Sequence, residues 1–405
     1  MMTTNRPPRI AIVGGGPGGL TLARILQTRN IATTVFEKEN HPDERPQGGT
    51  LDLHSDSGQL ALHLAGLDEP FRAIARYEDQ GMRLLNQQGE VLFEQTEGQE
   101  PDDRPEVDRT ALRAILLDSL DSGVVRWGHN LHSVRLLDDG TYELLFENGL
   151  RATFDLVVGA DGAWSRVRPL VSNATPTYTG VTFIEFGLDD VDQRHPALAQ
   201  LVGHGSMSAS ANNKSLIAQR NGHAHIRVYA ALRVPEKWAT TTGFDANDPQ
   251  TARAWLLDQF SDFDQSLLAL IHECNDRFVV RALHMLPVGH RWDFRAGVTL
   301  VGDAAHLMSP YGGQGVNLAM LDAADLARAI SECDTLEQAV QTYEATMFPR
   351  AAIAAKLADV GLTRSIAPDG LAYSLAFFQE MEQGMSLERF ILEGRPSSSA
   401  VVSTR

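Results

Sequence analysis

Cysteine is nearly absent: Cys274 and Cys333 are the only two in 405 residues, and neither lies in a CxxC pair or beside histidines at metal-ligand spacing. That excludes a disulfide framework and a thiolate metal site, and we read both as buried free thiols of a protein in a reducing, cytoplasmic compartment. Long apolar runs are missing too. None approaches the ~18 residues of a membrane-spanning helix, and the residues before Val13 contain no signal-peptide core. Positive charge is scarce, with 35 Lys plus Arg against 52 Asp plus Glu and a net charge of -17. Such a chain repels phosphate backbones and anionic membranes, so neither nucleic acid nor a membrane is expected as a partner. No internal repeat is visible, and the length allows two or three domains of ~150 residues.

What is present begins with Ile10 to Val13, a short apolar strand followed at once by Gly14-Gly15-Gly16-Pro17-Gly18-Gly19 and a helical Leu20 to Leu26. Gly14, Gly16 and Gly19 form a G-x-G-x-x-G in the strand-to-helix context the motif needs. The first glycine allows the tight turn, the second lets the backbone approach a pyrophosphate, and the third lets helix and strand pack closely. The helix N–H groups, behind Pro17, face the negative charge. Glu37 closes the second strand 18 residues after Gly19, with Lys38 beside it, at the interval expected for a carboxylate that binds an adenosine ribose. These residues bind a dinucleotide but do not separate FAD from NAD.

A second glycine-rich segment lies almost 290 residues further on. Val298 to Val301 is an apolar strand, so Gly302-Asp303 falls at its carboxyl end, where open α/β sheets place ligands. Asp303 can accept a hydrogen bond from a sugar-alcohol hydroxyl. Pro310, Gly312, Gly313 and Gly315 then build a turn with exposed backbone N–H groups. Val316 and Asn317 open a helix whose positive end suits an anionic flavin. His306 reads as a packing residue, and Asp161-Gly162, after the apolar strand Leu156 to Gly159, reads as an Asp-Gly turn.

Those three segments together resemble the fingerprints of the single-component FAD-dependent aromatic hydroxylases, of the p-hydroxybenzoate hydroxylase fold. More narrowly, GGTLDLH at 48–54, DRTALRAILLDSL at 108–120 and GDAAHLMSPYGGQGVN at 302–317 resemble the tetracycline-inactivating monooxygenases. The resemblance implies Glu37 for the ribose, Asp52, Arg109 and Asp303 for FAD, Asp161 for both FAD and the hydride donor, and Arg45 for the nicotinamide donor. It implies tightly bound FAD, with NADPH or NADH as a transient donor and O2 as co-substrate. The reaction it implies is hydroxylation of an electron-rich aromatic or enolic carbon through a C4a-hydroperoxyflavin.

The fold class expected is α/β: a Rossmann-like FAD-binding domain, discontinuous over 1–75, 105–175 and 277–330, with an inserted antiparallel-sheet substrate domain over 76–104 and 176–276. Helices follow over 331–394, then a tail over 395–405. The sheet, read from Val181 to Leu188, Ser215 to Gln219 and His225 to Leu232, is expected to roof the flavin with alternate side chains toward the substrate. Glu185, Ser206 and Arg227 are its candidate contacts, with Pro310 and Gly312 on the glycine-rich turn. The tetracycline-inactivating enzymes carry Gln, Arg and His at the first three positions. An exposed cross-strand salt bridge competes for Glu185 and Arg227. A polyketide or tetracycline-like small molecule is the expected substrate, and a monomer the expected state. Rival readings are a flavin-dependent halogenase, whose WxW signature is missing, a flavin dehydrogenase, and a non-catalytic protein that sequesters its ligand.

Overall fold

The computed structural model describes residues 6–44, 48–95 and 104–383. Arg45 and the tail at 395–405 lie outside the described residues. The chain divides into two compact units, one of residues 1–75, 107–177 and 284–356 and the other of residues 76–106, 178–283 and 357–405.

In the first unit a five-stranded sheet runs in the order Val298–Leu300, Leu156–Gly159, Ile10–Val13, Thr33–Phe36, Val125–Arg126, and every neighbouring pair is parallel. Ile10–Val13 is buried at all four positions, as an interior parallel strand covered on both faces must be, so it reads as an unbroken apolar run. Helix Pro17–Thr28 follows with its Pro at the first helical position, where the missing N–H is no loss. The helix Gln314–Glu332 packs against it through small residues. A Cβ on Gly18 would stand 2.9 Å from the Ala319 carbonyl oxygen, and one on Gly302 would stand 2.8 Å from the Ala319 Cβ. This close approach brings the two glycine-rich segments to one end of the sheet. An antiparallel sheet of Leu131–Leu136, Tyr142–Phe146 and Arg151–Phe154 completes the unit.

The second unit is built on a seven-stranded sheet in the order Val279–Met285, Thr177–Leu188, His225–Arg233, Lys214–Asn221, Gly205–Ala211, Gly81–Leu85, Val91–Gln95. The antiparallel pairings follow the sequence pattern. The strand Gly205–Ala211 does not: its small side chains, GSMSASA, carry little apolar alternation, and it pairs in parallel with Gly81–Leu85. Ile184, Phe186, Leu188, Ile226, Val228 and Ala230 enter the core with Leu256 of helix Pro249–Gln259, Phe260 at its C-cap and Leu267 of helix Gln265–His272. Strand alternation then puts Phe183, Glu185, Arg227 and Tyr229 on the opposite face.

One local expectation needs correction, because the two cysteines are not both buried. Asp108 occupies the N-cap of helix Arg109–Asp118, but its side chain makes no capping hydrogen bond. Cys274 is buried, whereas Cys333 is only partly so. Among the described residues no helix is long and apolar enough to cross a membrane, and no group of three His, Cys, Asp or Glu could hold a metal ion.

Candidate dinucleotide site

The glycines of the first loop answer different steric demands. A Cβ on Gly14, whose φ is 112°, would lie 2.2 Å from the Ala160 carbonyl oxygen, and one on Gly19 would lie 2.1 Å from the Gly14 carbonyl oxygen. Both positions are closed to any side chain by the protein itself. Gly16 is the opposite case: nothing lies within 4 Å of where its Cβ would be. It is the N-cap of the helix Pro17–Thr28, whose first N–H groups receive no capping side chain from it. An empty approach to a positive helix end is what a pyrophosphate requires.

The loop is braced from below. Gly15 N–H donates to Glu37 Oε2 at 2.7 Å, and Glu39 N–H donates to Glu37 Oε1 at 3.0 Å. Glu37 therefore holds the loop, and each of its carboxylate oxygens keeps a second lone pair. Arg113, missed in the sequence, completes the brace. It donates to the Gly15 carbonyl at 3.3 Å, to the Pro42 carbonyl at 2.8 Å and to the buried Glu39 carboxylate at 2.8 Å. Its signal was available, because it stands four residues, one helical turn, after Arg109. Lys38 is exposed and Pro17 partly buried beside the open cap.

Asp161 and Asp303 sit at adjacent strand ends. Asp161 Oδ2 accepts the Arg166 N–H at 2.7 Å, while its buried Oδ1 has no hydrogen-bond partner. Burial raises the Asp161 pKa against the hydrogen bonds of Ser165 and Arg166. Arg168 ties the two segments together, donating to the Ala163 carbonyl at 2.7 Å and to the Ala304 carbonyl at 3.1 Å. The Asp303 side chain is exposed, yet the surrounding protein desolvates it and raises its pKa, against the charges of His306, Arg109 and Arg168. A carboxylate that is crowded and still accessible is available to a hydroxyl.

The glycine-rich turn closes over Asp52. Pro310 and Gly312 are exposed, and the Pro310 carbonyl accepts from Gly312 N–H at 3.0 Å and Gly313 N–H at 3.2 Å. Gly313, with φ 65°, caps the helix Gln314–Glu332 without a side-chain bond, and its Cβ would lie 3.1 Å from Asp52 Oδ2. A Cβ on Gly315 would meet nothing within 4 Å, and Val316 is partly buried beside it. Asn317 is buried and donates to the Asp52 carbonyl at 2.8 Å. His54 Nε2 lies 2.9 Å from Asp52 Oδ2, a partner that sequence reasoning did not find. Arg109 stands beside the backbone of Gly48, 3.7 Å from where its Cβ would be.

Thus Gly14, Gly16, Gly19, Glu37, Asp52, Arg109, Asp161, Asp303 and the turn to Asn317 all belong to the first unit. They present open glycines, helix N-termini and carboxylates suited to a dinucleotide. Glu185, Ser206 and Arg227 belong to the second unit. Glu185 is 3% exposed and is held by Arg227 and by Arg281, an arginine the sequence did not single out. The salt bridge exists, with its carboxylate buried on the sheet and its arginines partly exposed. Ser206 pairs with Gln219, which pairs with Arg227, so these three residues form a row across adjacent strands.

Residues 8–359 match the FAD binding domain family, and the chain belongs to it. FAD is therefore the dinucleotide, and the enzyme class is that of the FAD-dependent monooxygenases. Among its relatives are monooxygenase penA of Penicillium thymicola, 33% identical over 91% of this chain and 98% of the relative, and monooxygenase asqM of Emericella nidulans, 31% identical over 86% and 93%. The solved structure of Klebsiella pneumoniae HpxO with FAD and uric acid covers 95% of each chain at a TM-score of 0.77 and 21% identity. Tetracycline destructase Tet(51) covers 95% of this chain and 97% of its own at a TM-score of 0.68 and 20% identity. These two likenesses establish the p-hydroxybenzoate hydroxylase-like fold.

Proposed function

We propose that this protein uses NADPH or NADH and O2 to hydroxylate an electron-rich aromatic or enolic carbon of a small molecule, of the polyketide or tetracycline-like kind. The observation that carries the reading is the contrast within one loop: Gly14 and Gly19 are closed by the protein's own backbone, while Gly16 opens onto empty space at a helix end. Bound FAD supplies the redox chemistry, accepting hydride from the nicotinamide and activating oxygen.

The chain supplies position and electrostatics. The N–H groups behind Gly16 receive the pyrophosphate and Glu37 the ribose, while Asp303 and Arg109 hold the flavin end. The open cap at Gly313 and Gly315 presents N–H groups to the negative charge of a reduced flavin. Asp161, with an unpaired buried oxygen, serves FAD and the donor together. Arg45, Lys38, Pro17, Pro310, Val316 and Asn317 complete the assignment. On the second unit's sheet, Glu185, Ser206 and Arg227 contact the substrate, and the pair of arginines on one carboxylate leaves a net positive charge that favours an enolate or phenolate. The protein acts as a cytoplasmic monomer.

Purified protein should be yellow and should consume O2 with NADPH when offered phenols or enols, with a product heavier by one oxygen atom. A colourless protein that cannot be reconstituted with FAD overturns the cofactor assignment. NADPH oxidation without oxygen transfer points to a dehydrogenase, chlorinated product to a halogenase, and flavin that is never reduced with any ligand to a binder.

A further inference from the structure

A buried carboxylate of the second unit carries one arginine more than its charge requires. Glu185 is 3% exposed; Arg227 Nη1 donates to its Oε1 and Arg281 Nε to its Oε2. Arg281 comes from Val279–Met285, the edge strand beside Thr177–Leu188, and its side chain is 49% exposed against 22% for Arg227. Two guanidinium groups on one carboxylate leave a positive surplus. Among the described residues neither arginine pairs with a second carboxylate.

Holding Glu185 does not call for this arrangement. One arginine neutralises the carboxylate, and a second sets like charges side by side. Two arginines that brace the fold show the contrast, because they engage their terminal nitrogens. Arg253 Nη2 donates to the Cys274 carbonyl at 2.9 Å and to Asp276 at 2.9 Å, while Arg350 donates through Nη1 to Asp325 at 2.7 Å and through Nη2 to Asp322 at 2.9 Å. Arg281 uses Nε alone, so the N–H groups of Nη1 and Nη2 remain, the planar fork that matches two coplanar oxygens. No described residue engages that fork. Arg227 is less available, with Nη1 taken and Nε buried without a partner.

The neighbouring side chains suit a ring. Tyr229 pairs across the strands with Glu185, and its ring centroid lies 5.5 Å from that of Phe183 on the same face. An aromatic floor beside a guanidinium already fixed by a buried carboxylate fits a flat molecule that joins an apolar ring to an anion. Because Glu185 orders the arginine beforehand, less freedom is lost when the anion binds.

We propose that Arg281 is a specificity-determining residue whose Nη1 and Nη2 take a planar pair of oxygens sharing one negative charge, on the molecule to be hydroxylated. A carboxylate has this form, and so does the syn enolate of a 1,3-dicarbonyl. The proposal rests on the reading that this face of the sheet meets the substrate. It narrows the substrate class from phenols and enols at large to those that carry such an anion, with Glu185 as the positioning residue beneath.

Calorimetric titration of the flavin-loaded protein, without NADPH, tests this with matched probes. 2,4-Dihydroxybenzoate against its methyl ester reports a carboxylate, and 2-acetyl-1,3-cyclohexanedione, ionised at neutral pH, against its enol methyl ether reports an enolate. At least one acid is expected to bind about tenfold more tightly than its neutral partner, the scale of a charge-assisted bidentate contact. Arg281→Gln is expected to bind acid and neutral partner alike, with affinity for the neutral partner unchanged. Arg281→Lys keeps a charge and a donor for Glu185 but lacks the fork, and its preference is expected to fall in between. It also serves where the glutamine variant fails to fold.

Acid and neutral partner bound equally by the wild type, or the full preference retained in either variant, overturns the proposal. A variant that only loses stability, with its preference intact, would make Arg281 a brace. Oxygen transfer to neutral phenols without any such preference leaves the monooxygenase reading standing and this one fallen. An Arg281-dependent preference in a protein that never transfers oxygen does the reverse.

Discussion

His54 and Asn317 stand 263 positions apart, and the backbone N–H of the first donates to the side-chain oxygen of the second at 2.9 Å. The same oxygen accepts from Gly58 N–H at 3.2 Å, and the Asn317 amide nitrogen donates to the carbonyls of Asp52 at 2.8 Å and Gly313 at 3.2 Å. One buried side chain thus sews the segment 52–58 to the glycine-rich turn. Asn317→Asp keeps both acceptor contacts and loses both donors, leaving carbonyls unpaired at about 1–3 kcal/mol. We expect a lower urea midpoint for the apoprotein and depleted flavin on purification, with Asn317→Ala worse on both. A variant with wild-type midpoint and full flavin would remove Asn317 from the site.

The first loop separates folding from binding. Gly16→Ala places a methyl group where nothing lies within 4 Å, at a φ of -81° that alanine adopts freely. Apoprotein stability should stay within about 0.5 kcal/mol, as for a surface substitution. FAD affinity should nevertheless fall at least tenfold, because the methyl group occupies the approach to the helix N-terminus. Gly14→Ala should do the reverse damage and unfold the apoprotein, since its Cβ would meet the Ala160 carbonyl at 2.2 Å with φ at 112°. Calorimetry of the two apoproteins beside flavin titrations decides it. Equal stability of both variants would mean that the loop is not held as described.

What could be read in the sequence was whatever the backbone imposes. Gly14 and Gly19 have no substitutes, and Asp303 falls at a strand end that an unbroken apolar run marks, so these positions announced themselves. Arg350 did not. It lies 28 positions from Asp322, in the 30-residue helix Leu336–Ser365 with Pro349 inside it, and only tertiary packing makes the two partners. Glu185 was legible as a paired residue but not as a buried one. The strand Thr177–Leu188 is buried continuously from Val181 onward, so burial there does not alternate. The strand Gly205–Ala211 was missed because serine and alanine carry no strong period, although the left-handed pair Asn212-Asn213 joins it to Lys214–Asn221 in a tight hairpin; only its parallel pairing to Gly81–Leu85 leaves no turn to betray it.

Glu344 predicts a stability that depends on pH. Its Oε1 accepts from Trp292 Nε1 at 2.9 Å and from Thr299 Oγ1 at 2.8 Å, and burial raises its pKa against these two hydrogen bonds. A carboxyl group raised on folding binds its proton more tightly in the native state, so stability declines as pH rises from the unfolded pKa through the folded one. Glu344→Gln keeps the acceptor oxygen and never ionises. Thermal melts should show the variant more stable than wild type above pH 7, by about 1 kcal/mol or a melting rise of about 2–4 °C. The advantage should shrink toward pH 4. A constant difference across that range would show that Glu344 does not titrate on folding.

Glu185 stands between two arginines, which makes its removal and theirs unequal. Arg227→Met leaves the carboxylate its bond from Arg281, so the buried charge remains paired and the loss should be modest, about 1–2 kcal/mol. Glu185→Leu leaves Arg227, largely buried, facing Arg281 with no carboxylate between them, the situation in which a broken buried pair costs about 3–5 kcal/mol. The order of the two losses in urea denaturation is the test. If Arg227→Met destabilises the protein as much as Glu185→Leu, Arg281 does not share the carboxylate. The Michaelis constant separates this structural role from recognition. Arg227→Met should raise it for a phenol or enol substrate while NADPH affinity stays unchanged, because only the substrate is proposed to meet this face of the sheet.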